Sequence, residues 1–198
     1  FVAMEGKNGY RLNCTIHTYE QMENAGITLQ SGAYLYGCEG YFMWKNRPLK
    51  EDCVQDFPGF QALQYINLRI MRYAEVLLMA AEAHIEGGVN QAKALKYINE
   101  VRTRAQLPAL TAVSLDDVKK EKRLELCLES VRYQDLIRWG DASSVMGEQG
   151  KQVPSYSAKG IEYLNKNTIF GFKEKHKLLP IPAKELRVNP NMHQNNNW

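Results

Sequence analysis

No stretch of this chain approaches the roughly 20 consecutive apolar residues that a membrane-spanning helix requires, so a helical span within it is excluded. A charge of one sign is lacking as well. The 25 Lys and Arg interleave with 22 Asp and Glu, a formal net charge of +3, and no continuous basic field exists to track a phosphate backbone. Nucleic acid is therefore not an expected partner. The four cysteines, Cys14, Cys38, Cys53 and Cys127, stand 24, 15 and 74 residues apart, and His17, His84, His176 and His193 are equally dispersed. Neither set has the close pairing on which zinc and redox motifs rely, so no metal or cofactor is expected and the cysteines read as free thiols before disulfides. Also missing are a G-x-S-x-G nucleophile elbow, a phosphate loop, an H-E-x-x-H helix and a G-x-G-x-x-G after a strand, which leaves the familiar enzyme classes without their machinery. The opening FVAMEGKNGY has neither a starting methionine nor the basic and apolar regions of a signal peptide. Any targeting segment is expected outside the chain.

What is present divides into three regions. With 44% hydrophobic residues in 198, the chain can build the core of one large domain or two small ones. Residues 1–65 are aromatic and glycine-bearing, and GAYLYG (32–37) and GYFMWK (40–45) read as brief strands or extended loops between glycine turns. Residues 66–140 read as helical and 141–198 as an irregular wrap in which the prolines of LPIP fix an extended segment and the last residue, Trp198, ties the end down.

In the middle region RYAEVLLMAAEA (72–83) places Tyr73, Val76, Leu77, Ala80, Ala81 and Ala83 on one broad face, which Leu78 and Ile85 extend, and gathers Arg72, Glu75, Glu82 and Glu86 on the remaining arc. Gly87 and Gly88 stop this helix. A second one follows over QAKALKYINEVRTRAQLP, with Ala94, Leu95, Ile98, Val101 and Ala105 inward and Pro108 beyond its end. The pair has the shape of one tetratricopeptide unit, which cannot bury both of its faces alone and so needs neighbouring helices. Ser114 followed by Asp117 is a capping-box start, from which a long third helix is predicted to run to Gly140. The fold class expected is mainly α: a tetratricopeptide-like hairpin and a long third helix, packed with loop-rich segments and a few short strands.

Glu75 and Glu82 can be weighed as a glycosidase pair, but two turns of helix set their Cα atoms about 10 Å apart. Glutamates on a mostly buried helix more often pair with arginines of a neighbour, and Arg102, Arg104, Arg123, Arg132 and Arg138 are the candidates. Arg132, Asp135 and Arg138 recur every three residues, which permits salt bridges within one helix. Arg72, Glu75, Glu82, Arg123, Arg132, Asp135 and Arg138 are thus expected to form a structural charge network. Tyr34, Tyr36, Tyr41, Phe42 and Trp44 fall within eleven residues, and exposed rings of this kind stack on the apolar faces of sugars. Of these, Tyr34, Tyr36, Tyr41 and Trp44 are the candidate glycan-binding residues, with core packing as the competing role at each.

Taken in order, GYFMWK, RYAEVLLMAAEA, ALKYINEVRTRAQLPAL, KRLELCLESVRYQDLIRWG and KLLPIPAKELRVNPNMHQNNNW resemble the C-terminal portion of the SusD/RagB family over roughly residues 38–198. Two details depart from the family pattern: the ending Gln194, Asn195, Asn196, Asn197, Trp198, and Lys122 with Arg123 where a glutamate-arginine pair is usual. The resemblance implies a surface lipoprotein of the Bacteroidetes outer membrane, held by an N-terminal lipid anchor outside this chain, that binds glycans without hydrolysing them. It also implies a SusC-like TonB-dependent transporter as partner and a larger protein whose N-terminal part supplies the missing helices. A tetratricopeptide-like protein-interaction scaffold, a peptide-binding import lipoprotein of the RagB type and a carbohydrate-active enzyme are the competing readings.

Overall fold

The computed structural model describes residues 4, 9–27, 35–36, 40–53, 64–157, 159–165 and 171–198. In chain order its elements are α1 (Tyr10–Thr15), β1 (Ile16–Thr18), α2 (Tyr19–Asn24), β2 (Leu35–Tyr36), β3 (Tyr41–Met43), α3 (Tyr73–Glu86), α4 (Gln91–Arg104), α5 (Leu115–Glu125), α6 (Arg132–Arg138), α7 (Ala142–Met146), β4 (Gln152–Ser157), β5 (Gly160–Asn165) and α8 (Ala183–Val188). Short 3₁₀ turns cover Lys50–Asp52 and Glu174–Lys177. The fold is mainly helical, as the periodicity indicates. Two compact units divide it, one of Phe1–Thr28 with Tyr41–Ser130 and one of Leu29–Gly40 with Val131–Trp198.

The first unit is built on the α3–α4 hairpin. Gly88 at φ 61° makes the turn, a left-handed conformation that glycine adopts without a Cβ clash. Asn90 then caps α4 by accepting from the Lys93 N–H at 2.9 Å. Leu78, Ala81, Ala94, Ile98 and Val118 are wholly buried where α3, α4 and α5 meet, and the alanines let the backbones approach closely. After α4 the chain is held by the Asn99 amide, which exchanges bonds of 2.9 and 2.7 Å with the Leu110 backbone, and by Arg102 Nε donating to the Pro108 carbonyl at 3.0 Å. At the start of α5 Ser114 and Asp117 form the expected capping box. Residues 10–24, read from sequence as irregular, instead fold into α1 and α2 on either side of β1.

Two expectations about this region are corrected. The buried side of α3 is centred on Leu78 and takes in Ala74, Glu75, Leu77, Ala81 and Glu82, whereas Tyr73 (68% exposed) and Val76 face outward. Because this helix carries apolar residues nearly all round, its hydrophobic pattern alone does not say which face is inward. The long third helix, in turn, is two helices. Leu128 and Ser130 take left-handed backbone angles (φ 65° and 64°), which no α-helix tolerates, and α5 ends at Glu125. The cause lies in the carbonyl of Glu125, which in a continuing helix would accept from the Glu129 N–H. Here it accepts from Lys45 Nζ at 2.7 Å and Arg72 Nη2 at 3.2 Å, and the Glu129 N–H turns to Leu126 O at 3.1 Å.

In the second unit β2, β4 and β5 form an antiparallel sheet in that order, with Leu35 opposite Tyr156 and Gln152 opposite Asn165. The β4–β5 hairpin falls in the region read from sequence as an irregular wrap. Leu136, Ala142 and Met146 bury together with Ile137 and Phe172 against them. Gly171 is required at this contact, since a Cβ there would stand 1.7 Å from the Gly147 carbonyl oxygen. At the C-terminus the Trp198 indole N–H is shared between Lys175 O and Leu178 O at 3.0 and 3.1 Å.

Candidate functional site

In the first unit β1 and β3 pair antiparallel, Thr18 opposite Tyr41, His17 opposite Phe42 and Ile16 opposite Met43. Strand alternation turns Tyr41 (42% exposed) and Met43 to the same open side. Trp44 follows, anchored by its N–H donating to Thr15 O at 3.0 Å. Its ring stacks on His17 with centroids 3.7 Å apart, and the Arg47 guanidinium carbon lies 3.2 Å from the ring centroid. Two groups that close cannot share one face of the ring, so both faces of Trp44 are covered. Tyr34 lies outside the described residues, and the backbone of Tyr36 lies in β2, in the second unit.

Behind this strand stands the charge cluster of the first unit. Glu121, Glu125 and Glu129, spaced four apart, are its acceptors. Glu121, 2% exposed, accepts from Arg11 Nη1 at 2.7 Å and from Arg102 Nη1 at 2.9 Å. Glu125, 1% exposed, accepts from Arg11 Nη1 at 3.1 Å, Arg72 Nη2 at 3.1 Å and Arg104 Nη2 at 2.5 Å. Glu129 takes Arg72 in a two-pronged pair, Nε and Nη2 each at 2.7 Å, and also Lys45. These three glutamates were not singled out from sequence. The repeat E-x-x-x-E-x-x-x-E was the available signal, with one side chain per turn on a single stripe.

Of the residues predicted for a charge network, Arg72 joins this cluster directly. Glu75 and Glu82 are buried on α3, and Glu75 makes no ion pair among the described residues. Arg123 is exposed and likewise makes none among them. In the second unit Arg138 pairs with Asp135 at 2.9 Å, while Arg132 and Arg138 stand 5.9 and 5.3 Å from the Trp139 ring centroid. Cys14, Cys53 and Cys127 are free thiols, and burial pushes the Cys127 thiol up. Cys38 lies outside the described residues. No group of His, Cys, Asp and Glu among the described residues is placed to hold a metal ion.

Electrostatics give the cluster a pH signature. Burial by itself would raise the Glu129 pKa, but the hydrogen bonds from Arg72 and Lys45 outweigh it and hold the carboxylate below its ordinary value. The hydrogen bond to Glu129 correspondingly holds Arg72 above its own. A carboxylate whose pKa is lower folded than unfolded adds stability above the unfolded value, here about 4.5, and that share is lost as pH falls through the folded value. Urea titrations of the wild type and of Glu129→Gln at pH 7 and at about pH 3 are expected to show a smaller acid loss in the variant. Equal losses would sink the assignment.

Comparison with known proteins places this architecture. The SusD family model matches residues 54–198. The chain belongs to the SusD family. Among curated SusD relatives, the SusD-like protein P2 of Formosa agariphila is 32% identical over 139 residues, 64% of this chain and 25% of that protein. Among solved SusD structures, a laminarin-binding SusD-like protein superposes with a TM-score of 0.70 at 32% identity, over 96% of this chain and 35% of that one. Surface glycan-binding protein A from Bacteroides thetaiotaomicron, in complex with laminarihexaose, gives a TM-score of 0.67 at 31% identity, over 96% of this chain and 38% of that one. The chain thus spans about a quarter of that curated SusD relative and a little over a third of the solved ones.

Proposed function

We propose that this chain is part of a cell-surface protein that captures oligosaccharides without cleaving them and hands them to a SusC-like TonB-dependent transporter in the outer membrane, to which an N-terminal lipid holds it. The observation that carries the reading is the match, over nearly all of this chain, to a laminarin-binding protein and to a laminarihexaose complex. Tyr41 is the candidate platform, since its ring is partly open while Trp44 is covered on both faces and stiffens the strand beside it. The outward side of α3, with Tyr73, Val76 and Met79, is where further helices of a longer SusD protein would pack.

The test is an oligosaccharide array with peptides as controls, run on the full-length ectodomain. Selective retention of one oligosaccharide family with no change in chain length supports capture. Retention of peptides alone moves the reading to a peptide importer of the RagB type, and shortened products would make the protein an enzyme.

A further inference from the structure

We infer that the outward side of α3, with the extended segment 65–71 before it, is a docking surface for a helix from elsewhere in the same, longer polypeptide, and that this helix carries an arginine to the Glu75 carboxylate. The inference rests on the reading of the chain as part of a longer SusD protein and adds the chemistry of what docks.

Glu75 marks the place. It is 9% exposed, yet among the described residues its carboxylate has neither a hydrogen bond nor an ion pair. The other buried glutamates differ: Glu121 and Glu125 accept from arginines, and Glu82 is engaged as well. A mostly buried carboxylate without a partner is costly, and native folds seldom leave one. Arg72, three residues earlier, does not serve it, because its Nε and Nη2 go to Glu129 and Glu125.

The position of Glu75 on the helix gives the direction from which a partner comes. Leu78 and Glu82, three and seven residues on, are buried, while Met79 and Glu86, four and eleven on, are exposed, so Glu75 stands on the boundary between the packed and the open side. Tyr73, Val76 and Met79 make the open side apolar. In the segment leading into it Leu68 and Ile70 are 84% and 80% exposed, and Tyr65 and Met71 are exposed too. From Ile66 to Met71 the main chain makes no backbone hydrogen bond among the described residues. Apolar surface of this extent is seldom left to water.

Charge and chain length select the occupant. Glu75 and Glu86 edge the apolar surface, and neither is paired among the described residues. A second copy in a two-fold contact would bring this acidic edge twice, while the exposed cation of the segment, Arg69, is held by Asn46. The part of the SusD-like protein P2 that this chain matches is 25% of it, so most of such a polypeptide lies elsewhere, tethered to this surface at high effective concentration. Arginine fits the carboxylate better than lysine, because a guanidinium is more weakly hydrated and answers both oxygens at once, as Arg72 does at Glu129.

In the full-length protein, a photoreactive p-benzoylphenylalanine in place of Met79 is irradiated and the crosslinked peptide is identified by mass spectrometry. Val76 is the second position if that variant does not fold. The expected crosslink lies within one polypeptide and joins α3 to a peptide outside residues 1–198, with an arginine within about one helical turn of the crosslinked residue. That arginine is then changed to glutamine, alone and together with Glu75→Gln, and urea unfolding is followed. The unfolding constant of the double variant is expected to depart about tenfold from the product of the single effects. A crosslink between two polypeptides, crosslinks confined to residues 1–198, no crosslink at either position, or independent effects of the two changes each overturn the docking helix. All four leave glycan capture standing, since the oligosaccharide array decides that separately.

Discussion

Replacing Glu125 by alanine is expected to lower the stability of the chain by about 3–5 kcal/mol, the cost of breaking a buried ionic group by removing one side of it. The carboxylate is 1% exposed and is shared by Arg11, Arg72 and Arg104, of which Arg11 is itself 4% exposed. Removing it leaves excess positive charge where water does not reach. Truncating the other side of one contact, Arg104→Ala, should cost less than about 1 kcal/mol, because Arg104 is 59% exposed and its charge is already solvated. Urea denaturation followed by circular dichroism measures both. If Glu125→Ala costs no more than Arg104→Ala, the three-glutamate cluster is a surface feature and not an internal support.

Leu78→Ala should cost about 2–5 kcal/mol, from the lost transfer energy and the cavity left between α3, α4 and α5. Leu78 has no exposed surface and packs in the same cluster as Ile98 and Val118. Val76→Ala, two residues away and 41% exposed, should fall within about 1 kcal/mol. The pair of variants decides which way α3 faces. A larger loss at Val76 than at Leu78 would turn Val76 inward, as the hydrophobic pattern first suggested.

The features legible in the sequence were local ones. The turn at Gly87 and Gly88 and the capping box of Ser114 and Asp117 each depend on a few neighbouring residues, and both stand where the pattern put them. The break after Glu125 was not legible, because neither Leu128 nor Ser130 favours a left-handed backbone. It is imposed by Lys45 and Arg72, 80 and 53 residues away in sequence. The same holds for the candidate site. The aromatic run around Tyr41 was evident, but the covering of Trp44 depends on His17, 27 positions earlier, whose strand pairing no local pattern announces. Side chains that reach across the fold to occupy a backbone carbonyl or a ring face leave no periodic trace.

The second unit draws β2 from near residue 35 and its partner β4 from beyond residue 150, with most of the first unit encoded between them. During synthesis β2 therefore leaves the ribosome well before the strand that completes its sheet. At about 5–20 residues per second the delay is on the order of 10 seconds, far longer than the microseconds a hairpin needs to form. The α3–α4 hairpin, made of contiguous chain, is finished in that interval. Translation speed through the chain between Tyr36 and Gln152, and not the intrinsic rate of strand pairing, then sets when β2 can meet β4.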